Sequence, residues 1–399
     1  MIPFKEAYRL ILDESRDFGK EKIPLQEAVG RVLAEDIFAD RDFPPFDRAT
    51  RDGIVLNHQA VEKGRTAFEI DGVLAAGHAA AVLRHEDLCM EIMTGAVIPY
   101  DADTVVMYEN CSIDHGIARL DGIPKKGQHI HRRGSDRKKG DMVLKAGRRI
   151  ATADIGILAS VGASVIPVKK LPRIAVISTG DELVEIDEFP MPHQLRKSNI
   201  YQLYAALREE NIIPLLLHVS DDEDIIRQKL SYAIDQMDVL LLSGGVSRGK
   251  FDFIPKVMDE LGLEKIFHKV LQRPGKPFWF GKQGQSGTLV FSFPGNPVST
   301  YVCYYRYFRD WLHRSIGLPI GDFHVILSET FMVQGDLTGF IDVKTKWEGG
   351  CLMASRVDGN GSGDLTSLAE ADGFVCLEPR DEPYYGGNAV PFIPTRKLV

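Results

Sequence analysis

Five short stretches combine glycines, carboxylates and cations at intervals that suit phosphate chemistry. They are STGDE (178–182), SDDED (220–224), SGGVSRGKFD (243–252), Lys269 with Arg273 and the loop PGKP (274–277), and PGNP (294–297). Glycines at 180, 244, 245 and 249 leave backbone N–H groups free to approach phosphate oxygens. Carboxylates cannot bind phosphate directly at neutral pH. Beside a phosphate they make sense as holders of a hard cation such as Mg²⁺, which takes one or two carboxylates, water and phosphate oxygens. Lys269, Arg273 and Lys276 add positive charge for an anion. The pattern points to metal-assisted chemistry on a phosphorylated ligand. Taken singly, Asp181 or Asp221 reads as a helix cap or turn residue, SGGVS as a tight turn, and the PGNP prolines as strand stops.

The surrounding elements explain how these stretches could meet. RIAVIS, PLLLHV, VLLLS, KPFWFG and TLVFSF read as strands, the first being apolar enough to be buried on both faces. Between them Asn199–Glu209 reads as a helix with Ser198 as N-cap. Ser220 with Glu223 reads as a capping box opening IIRQKLSYAI, and FDFIPKVMDELG as a further helix. Pro297 to Leu312 reads as a closing helix with Val298, Tyr301, Val302, Tyr305 and Phe308 on one face. Alternating strands and helices predict a mostly parallel sheet covered on both sides. Ligands of such sheets bind beyond the carboxyl ends of the strands, where each of the five stretches falls.

Residues 3–38 read as two helices, with Leu25, Ala28, Val29, Val32 and Leu33 as a buried stripe. Residues 55–150 read as short strands joined by Gly, Pro and Asp turns. Beyond about 318 helices nearly vanish, and HVILSETFMV, FIDVKTKW, CLMASRV, GFVCLEP and AVPFIP predict a small β domain, a barrel or a sandwich. Within 125–149 ten Lys or Arg stand against Asp136 and Asp141, either a solvated loop or a wall for a small anion. His129 and His131 read as one face of an exposed strand rather than a metal site, since no third ligand is near.

The chain has 399 residues, 44% hydrophobic and 26% charged, which excludes a disordered chain and allows several domains. Its net charge of −8 argues against a general nucleic-acid binder. Five scattered cysteines, without metal-ligand spacing, suit a reducing compartment. No apolar leader or spanning run is present, so the expectation is a cytoplasmic protein without membrane contact. No G-x-S-x-G elbow or motif-linked cysteine suggests nucleophilic catalysis.

The chain also resembles the molybdopterin molybdenumtransferase (MoeA) family, related to the C-terminal part of gephyrin. The resemblance rests on PPFDRATRDG (44–53), MTGAVIPYDADTVVMYE (93–109), HRRGSD and KGD (131–141), ISTGDELV (177–184), LLSGGVSRGKFDF (241–253), RPGKPFWFG (273–281) and FPGNPVS (293–299), seven stretches in family order. It implies that molybdate is inserted into adenylylated molybdopterin, with metal-dependent cleavage of the phosphoanhydride and release of AMP. It implies a multidomain α/β plus β fold: a discontinuous helical domain I (1–42 with 141–171), a β-rich domain II (43–140), a central α/β/α domain III of molybdopterin-binding type (172–316), and a small β-barrel domain IV (317–399). It further implies a homodimer, its cleft lying between domain III of one subunit and domain II of the other, and a molybdopterin adenylyltransferase as partner.

Carried over by motif, Asp52, Thr94 and Asp136 complete the site from the second subunit. Glu182, Asp221 and Asp252 are the domain III acids and the Mg²⁺ ligands. Ser178, Thr179, Gly180, Gly244, Gly245, Ser247, Lys276, Pro294 and Pro297 contact the pterin nucleotide, while Lys269 and Arg273 attract molybdate. The chain departs from the family pattern at Ala49-Thr50-Arg51, usually Ser-Ala-Met, at Lys250, usually acidic, and at Arg273, usually lysine. GFIDVK also lacks an expected arginine. Arg51, Lys250 and Arg273 make the cleft more positive, which favours an oxyanion and leaves tungstate open beside molybdate. The competing readings are a molybdopterin adenylyltransferase and a gephyrin-like scaffold.

Overall fold

The run Ile174–Thr179 is a strand buried along its whole length in the computed structural model, which describes residues 1–245, 253–333 and 335–397. A strand with two apolar faces needs a layer on each. It lies in a six-stranded sheet ordered Leu215–Val219, Ile174–Thr179, Val239–Ser243, Leu289–Phe293, Trp279–Gln283, Leu263–His268. The first four strands are parallel, Trp279–Gln283 runs antiparallel to them, and Leu263–His268 pairs antiparallel to Trp279–Gln283. Ile174 and Val176 pack with the helices Ser198–Glu209 and Pro297–Cys303, while Ala175 and Ile177 pack with Glu223–Gln236 and Ile254–Glu260 on the other face. The register sets Ser178 level with His218 and Ser243, and Ser243 level with Phe293. The loops that follow these strands therefore emerge side by side.

Details of the expected elements change. The helix at 198 starts on Ser198 itself, after Lys197, without a side-chain cap. The capping box does not form, because Asp222 takes the cap position and accepts from the N–H groups of Asp224 and Ile225, each at 3.0 Å. The closing helix runs Pro297–Cys303, passes through a wider i→i+5 turn over Tyr304–Phe308, and continues as Arg309–Ser315. That turn lets Tyr304, Tyr305, Tyr307 and Phe308 all be buried.

Residues 1–42 and 141–171 are less helical than expected. Phe4–Asp13 is a helix whose Phe4, Ala7, Ile11 and Leu12 join the core of the α/β unit, and Thr152–Ser160 is another. The expected second N-terminal helix is absent. Lys20–Pro24 is instead a strand antiparallel to Val165–Lys169. Ala28, Val32 and Leu33 are buried, but Val29 is 45% exposed. Pairing with a segment 140 residues away overrides the local helical spacing. Ile23, Ala28, Leu33, Leu144, Ile150, Leu158, Ile166 and Val168 form one apolar cluster across the two segments.

Between them a six-stranded sheet includes Gly53–Leu56, Leu88–Ile92 and Thr104–Met107. At the C-terminal end Thr338–Glu348, Cys351–Arg356, Phe323–Leu327, Ala389–Pro394 and Gly373–Leu377 pair in turn, and the last pairs back to the first. The barrel closes around Val325, Leu327, Val343, Val375 and Phe392, leaving no free edge in that ring. The strand Val270–Arg273 leaves the α/β unit and pairs in parallel with Thr338 and Gly339 of the barrel. This pairing sets Arg273 at the junction of the two units. Among the described residues no helix is long and apolar enough to cross a membrane.

Candidate active site

The level carboxyl ends of the parallel strands open into a cleft of about 950 Å³. Ser178, Thr179, Gly180 and Glu182 line it after the first strand, Asp221 after its neighbour, Gly244 and Gly245 after the next, and Pro294 and Pro297 after the last. Nine expected site residues thus meet in one cavity. Gly244 has φ of 98°, and a Cβ there would sit 2.7 Å from Thr179 Oγ1. Glycine is required both by the backbone conformation and by the close approach of the two loops. A Cβ at Gly180 would likewise collide with the Glu182 carboxylate, which folds back over it. Ser247 and Asp252 lie outside the described residues.

Two residues of this cleft, Lys197 and Asn199, and one that contacts its lining, His218, escaped the sequence reading. Asn199 donates through Nδ2 to Gly295 O at 2.7 Å and Ser243 Oγ at 2.9 Å, tying two carboxyl-end loops to one helix start. Lys197 is buried and pairs with Glu185. His218 Nδ1 lies 3.0 Å from Ser178 Oγ, and burial, then the charges of Lys197 and Lys229, push its pKa down. The available signal was position: Lys197 and Asn199 flank Ser198 at a helix start, and His218 precedes the end of a strand.

A second cleft of about 690 Å³ lies between the α/β unit and the barrel. Arg273, Lys276 and Pro294 line it, and the barrel side contributes Arg356, Asp342 and Ser367, none of them expected. Among the described residues Arg273, Lys276 and Arg356 form no ion pair, and the Arg356 guanidinium stacks over Phe331 at 4.9 Å. Gln272 beneath this loop is fully buried. It donates to Pro274 O at 3.0 Å and accepts from Tyr307 Oη. Lys269 lines neither cleft; it turns the chain between two strands with φ of 70°, while its carbonyl accepts from Ile2 N at 3.1 Å.

Asp52, Thr94 and Asp136 also lie outside both linings. Asp52 Oδ1 accepts from Thr94 N at 2.7 Å and Thr94 Oγ1 at 2.8 Å, and these bonds hold the carboxyl below its ordinary range. Gly53 follows because a Cβ there would strike the main chain of Val106. Asp136 Oδ1 lies 2.8 Å from His131 Nε2, and that bond pulls its pKa down. His129 has φ of 57° and precedes the two-residue strand Ile130–His131, so the two histidines do not share a strand face.

The basic run of 125–149 is in large part a frame. Lys126, Arg132, Arg133, Arg148 and Arg149 are paired with Asp103, Asp47, Asp42, Asp154 and Glu210. Among the described residues no cluster of three His, Cys, Asp or Glu is arranged for a metal. Glu182 and Asp221 nevertheless give the first cleft two carboxylates, the number a magnesium ion takes when phosphate oxygens and water complete its shell.

Comparison with known proteins agrees with this architecture. Residues 2–162 match the MoeA N-terminal region (domain I and II), 175–314 a probable molybdopterin binding domain, and 324–395 the MoeA C-terminal region (domain IV). The molybdopterin molybdenumtransferase of Synechocystis sp. is 37% identical over 98% of this chain and 99% of its own. That of Bacillus subtilis is 30% identical over 98% and 93%. A crystal structure of a molybdopterin biosynthesis MoeA protein from Pyrococcus horikoshii superposes with a TM-score of 0.82 at 28% identity, covering 100% of both chains. A second superposes at 0.80, covering 98% of this chain and 99% of that one. With its three matched regions in order and relatives aligned end to end, the chain belongs to the MoeA family of molybdopterin molybdenumtransferases.

Proposed function

We propose that this protein inserts molybdate into adenylylated molybdopterin and releases AMP. The observation that carries the reading is the pairing of two clefts through one wall. Pro277, Pro294 and Asn296 line both, with glycine loops and carboxylates on one side and Arg273, Lys276 and Arg356 on the other. In the first cleft the main-chain N–H groups of the turns that follow Gly180 and Gly244 would hold the phosphates, and the Asn199 bonds tie the Gly244 turn to the Pro294–Pro297 loop. Glu182 and Asp221 would hold Mg²⁺, which when bound supplies Lewis-acid charge to a phosphate oxygen. In the second cleft the cations take the oxyanion, tungstate being the same shape and charge class.

Asp52, Thr94 and Asp136 belong to neither lining of their own chain, so on this reading a homodimer brings them to the partner's cleft. The dimer, the cytoplasmic location, the division at 42/43, 140/141, 171/172 and 316/317, and a molybdopterin adenylyltransferase as supplier of the substrate are parts of the same proposal. The test is AMP release from adenylylated molybdopterin with molybdate and Mg²⁺. Asp221→Ala in a folded protein should slow it at least 100-fold, and Asp52→Asn similarly. Mixing the two inactive variants should restore activity, because exchange builds one cleft from two intact halves. Full turnover by Asp221→Ala, or ATP consumption in place of AMP release, would overturn the assignment.

A further inference from the structure

The second cleft is lined by three cations and two acids, Asp342 and Asp358. Asp342 stands on the barrel strand Thr338–Glu348, half-buried, and lines the same cavity as Arg273, Lys276 and Arg356. Its surroundings can be counted element by element. On its own strand Lys344 follows two residues on and is exposed. On the paired strand Gly373–Leu377 it faces Phe374, and the nearby Asp372 is bound to Thr345. Arg356 and Asp358 come from the strand end beside it, where Val357 N donates to Asp342 O at 3.0 Å. The helix Leu365–Glu370 contributes Ser367, with Asp364 as its cap. Arg273 and Lys276 come from the α/β side. Among the described residues none of these cations is paired with Asp342.

The hydrogen bonds around Ser367 are short by one proton. Ser367 Oγ is buried, 2.9 Å from Asp342 Oδ2 and 2.9 Å from the main-chain O of Asp364. A carbonyl and an ionised carboxylate both only accept, and a hydroxyl has one hydrogen to give. With Asp342 charged, one of the two contacts has no proton in it. With Asp342 protonated the chain is complete: the carboxyl donates to Ser367 Oγ, which donates to Asp364 O. Burial pushes the Asp342 carboxyl up; the Ser367 bond opposes this and the Asp364 charge adds to it.

We propose that Asp342 is a proton-coupled residue of the oxyanion cleft, taking up a proton as the anion enters and so making oxyanion affinity fall as pH rises. The inference rests on the reading that this cleft takes the oxyanion. A charged Asp342 repels the incoming anion; a neutral one completes the Ser367 chain and removes the repulsion. Linkage then limits the effect to about tenfold in affinity per pH unit, between the carboxyl's values in the free and the occupied cleft.

The experiment is calorimetric titration of the full chain with molybdate, and with sulfate as a second tetrahedral dianion, from pH 5.5 to 8.5 in two buffers of different ionisation enthalpy. The parent is expected to take up protons on binding and to lose affinity with rising pH. Asp342→Asn, neutral at every pH, is expected to show neither and to bind more tightly than the parent at pH 8. Asp342→Ser serves the same purpose should the first variant fail to fold. An Asp342→Asn that keeps the parent's pH profile, or a parent with flat affinity and no proton uptake, overturns the proposal. Arg273→Ala separates the two readings: if it binds both anions as the parent does, the assignment of the cleft itself falls.

Discussion

Replacing Glu210 with glutamine should loosen the joint between the 141–171 segment and the α/β unit. Glu210 ends the helix Ser198–Glu209, and its side chain is 11% exposed. Arg149 Nη2 donates to its Oε2 at 2.8 Å, and His313 Nε2 lies 3.0 Å from Oε1. Burial alone would push this carboxyl up, but the bonds and charges of His313 and Arg149 outweigh it and bring the pKa from 4.5 down to about 2. A depression of that size corresponds to about 3 kcal/mol of stability at neutral pH. The sign follows from the direction. The stabilisation is complete above the unfolded value of 4.5 and is lost as pH falls through the folded value of about 2. By pH 3 more than half of it, roughly 2 kcal/mol, should be gone. Glu210→Gln should therefore lower the urea stability by about 3 kcal/mol at pH 7 and by much less at pH 3. Hydrogen exchange should quicken first in the helices Ser198–Glu209 and Thr152–Ser160. A loss below about 0.5 kcal/mol at pH 7, or one of equal size at pH 3, would show that the three-way contact does not hold the joint.

Three further outcomes separate alternatives. Asp222→Ala should cost about 1 kcal/mol by urea titration while Ser220→Ala stays within about 0.5, since Asp222 holds the cap. Gly244→Ala should abolish AMP release, because φ is 98° and the added Cβ meets Thr179 Oγ1; normal turnover would mean the loop needs no close approach. Asp342→Asn should raise the urea midpoint at pH 8 and leave it unchanged at pH 3. The folded-state carboxyl is raised above its ordinary 3.8, so its contribution declines as pH climbs through the folded value.

How much of this could be read in advance depends on where the information lies. The loops of the first cleft are readable because each follows a short apolar run, and parallel pairing brings successive strand ends level. Ser178, Gly180, Asp221, Gly244 and Pro294 follow from that rule alone. The second N-terminal helix is misread because Lys20–Pro24 finds its partner in Val165–Lys169, and no local periodicity records a partner so distant. Arg356, Asp342 and Ser367 are invisible for the same reason. They reach the cleft only because Val270–Arg273 crosses to the barrel and pairs with Thr338 and Gly339. Lys269 lines neither cleft of its own chain, because the backbone turns there with φ of 70° and sequence spacing does not record that turn.

The wall between the clefts ties the two halves of the proposed reaction together. A pterin phosphate and a metal oxyanion repel each other, so a protein that joins them has to neutralise each separately before contact. Here the neutralising groups differ in kind: glycine-rich turns on one side, guanidinium and ammonium groups on the other. The shared Pro277 and Pro294 carry no N–H and no charge, so they favour neither anion. Thr300 Oγ1 donates to Pro294 O at 2.6 Å, and Asn296 Nδ2 to Ser362 Oγ at 2.7 Å, which fixes the wall to a helix on one side and to the barrel on the other. Movement of the barrel therefore moves the wall. On the proposed reading the passage of oxyanion to pterin is controlled there, and the proton on Asp342 adds a pH dependence to the side from which the oxyanion comes.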